Sequence, residues 1–299
     1  MTPKIKLLAA AVIAFSLAGL VNAQEAETNP SPEPLNFWGA VPNQPGQFRL
    51  QPVISQYFTR GQYDNGGTLQ SLGEKDHYRS LGLDLYGTYG ISENFDMSFL
   101  LSTVHNSAKL GSESASMTRL GDSALYARYL FVKEGSRMPA LSFSATLRIP
   151  TGKYEEANAD GLGTDITGSG AWGVGGGLLA KKSIGKFNFY GDAGIYQPFH
   201  TKVDGVPTEY GTTFHYDLSA EYVLPLHLNV FLEMNGGLQG KTKEHGDSVD
   251  QTDSNYLDLV PGIGWTKGNT SLVAGYIRSL SGKNDNAYDG LELSAIFKF

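Results

Sequence analysis

The chain has 299 residues, a formal net charge of −7 and no cysteine. The acidic balance argues against a nucleic-acid binder held by phosphate contacts, and the lack of cysteine excludes a disulfide-stapled scaffold. Thirty-seven glycines, 16 tyrosines and 15 phenylalanines, with only 18% charged residues, suit many short strands.

Residues 1–23 read as a secretory signal peptide. Lys4 and Lys6 form the basic region, Leu7 to Val21 the apolar run, and Val21-Asn22-Ala23 the small-residue cleavage site. The apolar run falls short of the roughly 20 residues a spanning helix needs. Loss of its two lysines leaves 21 basic against 30 acidic residues, a net charge of −9.

Residues 24–46 form a proline-rich N-terminal arm, with Pro30, Pro32, Pro34, Pro42 and Pro45. Proline has no N–H for a ladder, so no strand is expected there. Phe37 and Trp38 stand out in it. Two readings stay open: a flexible periplasmic tail, or an arm folded into a pore and held there by these two rings.

From residue 47 to 299, segments of about ten residues alternate apolar with polar or small side chains. Twelve are predicted, at 47–58, 78–90, 94–104, 120–131, 139–149, 171–181, 186–196, 212–223, 227–238, 256–265, 269–278 and 289–299. Leu81, Leu83 and Leu85 share one face, as do Phe143, Ala145 and Leu147. Asp84, Asp122, Arg128 and Arg148 take the other. The connections alternate as well. Long stretches at 59–77, 105–119, 150–170, 197–211, 239–255 and 279–288 are interleaved with short ones such as 91–94, 182–185 and 266–268. Short periplasmic turns and long outer loops are the pattern of up-and-down strands crossing a membrane. A sandwich does not explain that alternation, and no four-strand repeat supports a propeller. The fold class expected is all-β, a membrane-spanning antiparallel up-and-down barrel of twelve strands with an N-terminal periplasmic arm. Rings such as Tyr57, Phe58, Tyr89, Tyr129, Phe131, Trp265 and Tyr276 fall near strand ends, where interface girdles place them.

Parity then assigns the pore-lining candidates: Asp84, Tyr86, Asp122, Tyr126, Arg128, Arg148, Tyr190, Asp192, His215, Asp217, Glu221, Glu233 and Asp258. Asp96, Glu292, Arg49 and Lys298 share the inward face, while Lys181 and Arg278 are left unassigned. Nine acids against four bases make an acidic wall that attracts cations. The inward tyrosines, with Phe231, either stack an aromatic solute or fill a narrow barrel.

The final segment, LELSAIFKF, puts Leu291, Leu293, Ala295, Phe297 and Phe299 on the lipid face. A terminal strand of this kind resembles the assembly signal of Gram-negative outer-membrane barrels, which makes Phe297 and Phe299 that signal here. RLGDSALYARYLF (119–131), LRIPTGKYEE (147–156) and TDITGSGAWGVGGGLLA (164–180), in this order, resemble the outer-membrane family labelled for the meta-pathway of phenol degradation. The resemblance spans roughly residues 78 to 299. It implies transporter-like barrels and passage of small molecules, aromatic or otherwise hydrophobic, and carries over no catalytic residues.

Other motifs weigh little. Gly121-Asp122-Ser123-Ala124 matches a hydrolase nucleophile block, but parity turns Ser123 away from Asp122, and a nucleophilic serine needs a base beside it. Gly168 to Gly173 fits GxGxxG but leads into a strand. Gly240-Lys241-Thr242 lacks the first P-loop glycine. The six histidines show no HExxH spacing, and Glu244, Asp247, Asp250 and Asp253 lack EF-hand spacing. No enzyme activity, cofactor or metal is expected. The expected partners are outer-membrane lipid and lipopolysaccharide, the barrel-assembly machinery and a small-molecule solute, with no nucleic acid. A passive channel in the cell outer membrane is the reading preferred over a barrel hydrolase or an adhesive barrel.

Overall fold

The computed structural model describes residues 33–35 and 38–299, so the predicted signal peptide, the first part of the arm and Phe37 lie outside the described residues. Twelve strands follow one another around a closed antiparallel barrel: β1 (Phe48–Tyr63), β2 (His77–Ser92), β3 (Phe95–Leu110), β4 (Ser123–Val132), β5 (Ala140–Ile149), β6 (Gly173–Ile184), β7 (Phe187–Pro198), β8 (Thr213–Val223), β9 (Leu228–Gln239), β10 (Ser254–Lys267), β11 (Thr270–Lys283) and β12 (Asp285–Lys298). Each pairs with its neighbours in sequence, and β12 closes on β1 from Arg49↔Lys298 to Tyr63↔Asp285. Closure leaves no unpaired edge.

Burial alternates with period two, as expected for a wall with two solvents. On β12, Leu291 and Leu293 are exposed outward, whereas Glu292, Ser294 and Ile296 are buried inward. Leu81, Leu83, Tyr89, Leu101, Phe143, Leu178, Ile195, Leu232 and Leu272 continue the outward apolar belt. Such a belt is favourable only against lipid, and a closed barrel satisfies every backbone group inside it. The architecture is therefore that of an outer-membrane barrel.

All twelve predicted segments coincide with barrel strands, but several strands are longer. The expected long loop at 279–288 is overturned: β11 runs to Lys283, β12 begins at Asp285, and only Asn284 intervenes, at φ +47°. The 105–119 stretch is likewise a hairpin, in which the end of β3 pairs with Glu113–Leu120. Leu69–Ser71 adds a short strand to β1 within the 59–77 stretch. These extensions project beyond the belt, where neither face needs apolar residues. Their sequences therefore carry no alternation to read.

Two prolines sit inside the closed wall. The β1–β12 pairs skip from Leu50↔Phe297 to Val53↔Ser294 around Pro52, and the β10–β11 pairs skip from Leu259↔Arg278 to Gly262↔Gly275 around Pro261. Proline gives no N–H to the ladder at either place. The Gln51 amide bridges the first gap by donating to Ser294 Oγ at 3.0 Å. At the tight-turn end, Phe299 N–H donates to Phe48 O at 2.8 Å and the two rings stack 6.5 Å apart, so the seam is paired to the last residue.

Candidate functional site

The described residues of the arm, 33–35 and 38–46, lie against inward side chains at the tight-turn end, in keeping with the pore-held reading, while Phe37 lies outside the described residues. Arg128 and Asp96 are both buried and joined by two contacts, Nε–Oδ1 at 3.1 Å and Nη2–Oδ2 at 2.5 Å. The pair grips the arm from both sides. Arg128 Nη1 donates to Gly39 O, and Asn43 N–H donates to Asp96 Oδ2 at 2.9 Å. The Arg128 guanidinium also lies 4.7 Å from the Trp38 ring, which meets Tyr126 edge-on at 5.7 Å. Ser142 Oγ donates to Ala40 O, and Ala40 packs with Leu130, Ala140 and Leu179. Further along, Leu35 N–H donates to Glu233 Oε1 at 2.5 Å, its side chain packs on Phe231 and Val273, and Glu33 pairs with Arg49 at 3.1 Å. Trp38 thus takes the place that the second of the two open readings gave it.

Asp84 and Tyr86 hold the inward parity of β2. Arg148 stacks over Tyr196 at 4.8 Å. Glu221 accepts from Tyr190 Oη at 2.9 Å, Asn188 at 3.0 Å and Asn229 at 2.5 Å, which makes it a buried structural hub. His215 Nε2 stands 3.6 Å from Asp192 Oδ1. Gly194 makes room for that imidazole, since a Cβ there would lie 2.6 Å from His215 Cε1. Lys181, unassigned from sequence, faces inward with its ammonium 5.8 Å from the Tyr190 ring. Arg278 turns outward instead and, with Arg60, pairs with Asp289 at the loop end.

Between the ends lies a cavity of about 320 Å³ lined by Tyr57, His215, Asp217, Asn235, Tyr256, Asp258, Val260, Ile277 and Tyr288. Asp217 and Asp258 were legible as inward acids. Tyr256 and Tyr288 were missed: Tyr256 opens the predicted segment 256–265 and was not assigned a face, and Tyr288 fell in the stretch read as a loop. A tyrosine at the inward parity of a strand end was the available signal.

Asp122 is placed differently from the other candidates. It sits where the wall meets the loop 150–172. Gly152 N–H donates to its Oδ1 at 3.1 Å, and Ser169 donates to its Oδ2 from N–H at 3.0 Å and from Oγ at 2.9 Å. Thr151 Oγ1 donates to Gly121 O and Thr167 Oγ1 to Leu120 O. A Cβ on Gly168 would stand 2.5 Å from Asp122 Oδ1, so only glycine closes this clasp. The three sequence stretches that carry the family resemblance converge here. The clasped loop bends over the mouth, where Asn106 Nδ2 donates to Thr164 O at 3.1 Å. Ser123 Oγ bonds Thr151 Oγ1 at 2.9 Å, and no histidine shares that contact.

Within the loop, the Lys153 ammonium donates to Asp165 Oδ2 at 2.7 Å and holds this buried carboxyl below its ordinary range, helped by the Asn158 N–H. A depressed folded-state value stabilises the loop above the unfolded value, and that stabilisation is lost as pH falls through the folded one. Hydrogen exchange of residues 152–168, corrected for intrinsic rates, should therefore keep its protection through weakly acidic pH. Protection should fall only below about pH 4. Lys153→Met should move the loss to higher pH, and an unmoved profile would show that this pair does not hold the loop.

Residues 50–297 match the family model described as "Putative MetA-pathway of phenol degradation". The chain belongs to that family. Among solved structures, it is similar to the COG4313 outer membrane channel from Pseudomonas putida F1. The two share 14% identity over 90% of this chain and 100% of that one, with a TM-score of 0.73. The translocator domain of the autotransporter NalP from Neisseria meningitidis aligns at 11% identity over 84% of this chain and 88% of that one, with a TM-score of 0.48. No curated protein matches the chain. The family match takes in the clasp residues and nearly the whole barrel.

Proposed function

We propose that the protein is a passive outer-membrane channel for small molecules, with aromatic and other hydrophobic compounds as its solute class. The observation that carries this reading is a closed wall, apolar outside and polar inside, that encloses a cavity between a lumen-bound arm and a clasped loop. Membership in a family labelled for phenol degradation supports the solute class. The similar P. putida barrel is itself called an outer membrane channel. No catalytic step enters this reading, since Ser123 is engaged by Thr151 and lacks a base beside it.

Contacts with lipid and lipopolysaccharide fit the outward belt and the outward Arg60 and Arg278 at the loop end. The exposed Phe297 and Phe299 fit a mark for the assembly machinery. Inward carboxylates and tyrosines line the proposed route, and the cavity of about 320 Å³ is a polar station on it.

Proteoliposomes loaded with a phenol-oxidising enzyme should consume external phenol faster with the protein than without it. They should show a smaller gain for a disaccharide, which leaves less clearance in a lumen occupied by the arm and capped by the clasped loop. Equal rates for phenol with and without protein would refute the channel reading.

A further inference from the structure

A row of oxygen-bearing side chains crosses the inner wall on four successive strands. The register sets it: Asp192 on β7 opposes Asp217 on β8, Asp217 opposes Asn235 on β9, and Asn235 opposes Asp258 on β10. Directly opposed positions bring β-carbons about 5 Å apart, and like charges there repel. His215 attends to Asp192. Among the described residues, Asp217 and Asp258 have no basic side chain within ion-pair distance. Asp258 is only 4% exposed. Its Oδ2 accepts from Tyr288 Oη at 2.6 Å, and the Ser279 hydroxyl opposite on β11 is its other hydrogen-bonding neighbour, so both of its donors are neutral. A wall that offers acceptors and carboxylates with only neutral donors beside them calls for a cationic donor.

The remaining walls of the cavity specify what kind of cation. Tyr256 lies flat across Gly237, where a Cβ would fall 2.4 Å from its Cε1. Tyr57 lies the same way across Gly290, with the corresponding distance 2.7 Å to its Cδ1. Tyr57 also meets Tyr288 edge-on at 5.2 Å, so three rings border the cavity, and aromatic rings attract ammonium groups. Val260 and Ile277, both buried, supply an apolar floor. A hydrated metal ion makes no use of rings or floor, whereas an organic ammonium uses all three surfaces.

We propose that this cavity is a binding station for small primary ammonium compounds bearing an apolar group. The N–H donors engage Asp217 and Asp258, the positive charge lies against the tyrosine rings, and the apolar group rests on Val260 and Ile277. This deepens the channel reading and rests on it, naming a class of solute that the acidic row would select from among hydrophobic compounds.

Calorimetry on the full-length protein in lipid nanodiscs tests it, with benzylamine, benzyl alcohol and benzoate as probes. Benzylammonium should bind, the neutral alcohol should bind roughly tenfold more weakly or not measurably, and benzoate should not bind. In the Asp217→Asn/Asp258→Asn double variant the preference of amine over alcohol should vanish. Tyr256→Leu, which leaves the carboxylates in place, should weaken the amine severalfold. Should the double variant fail to fold, judged by heat-dependent migration on gels, the single Asp258→Asn and Tyr256→Leu variants carry the test. Equal binding of amine and alcohol to the native protein, or an undiminished preference in folded variants, would overturn the proposal. Flux is scored separately. Amine selectivity without flux would sink the channel and keep the site, while phenol flux without amine selectivity would do the reverse.

Discussion

Deleting residues 33–44 is expected to raise single-channel conductance severalfold while the barrel still assembles. Among the described residues the arm is held mainly by inward side chains and by Asn43 Nδ2 donating to Thr88 O, whereas the wall is held by strand pairing that continues from β1 round to β12 and back. Assembly therefore does not need the arm, but the open cross-section at the tight-turn end does depend on it. Arg49, Asp96, Arg128 and Glu233 would each lose an arm contact and gain water in its place. Planar-bilayer recordings of the deletion and native proteins at the same salt concentration give the comparison. Unchanged conductance would mean that the route is limited elsewhere, with the clasped loop at the mouth as the next constriction.

The second large effect is expected at Asp96. Both members of the Arg128–Asp96 pair are almost fully buried, and the pair also ties down the arm through Gly39 and Asn43. Asp96→Ala leaves a buried guanidinium without its counter-charge and the Asn43 N–H without its acceptor. Breaking such a pair by removing one partner costs about 3–5 kcal/mol. Urea unfolding should register the loss, and protease should cut the arm of the single variant faster than that of the native protein. Asp96→Ala/Arg128→Leu should recover part of the stability, because the uncompensated charge is gone. The recovery should be incomplete, since Arg128 also stacks on Trp38. A double variant less stable than the single would show that arm contacts through Arg128, rather than the ion pair, dominate.

The sequence alone was enough to read the barrel's strand count and, within the belt, the alternation of its two faces. The reason is that a membrane wall imposes a local rule. Every second residue must suit lipid, so Leu291, Leu293 and Phe297 declare the outer face and Glu292 and Lys298 the inner one without reference to any partner. Where the wall leaves the bilayer the rule lapses, and 279–288 reads as a loop although it is nearly all strand. Asp122 shows a second boundary. Parity assigned it to the inner face, yet its partners, Gly152 and Ser169, lie 30 and 47 residues away.

The site depended on such distant meetings throughout. Asp192, Asp217, Asn235 and Asp258 are spread over four strands, and only the register brings them into one row. The arm shows no periodicity at all, because it is held by single backbone groups offered to Arg128, Asp96, Ser142 and Glu233. Local alternation thus determined the wall of this protein. Only the closing of the wall decided what its interior holds, because contacts across a lumen join residues that no sequence window contains together.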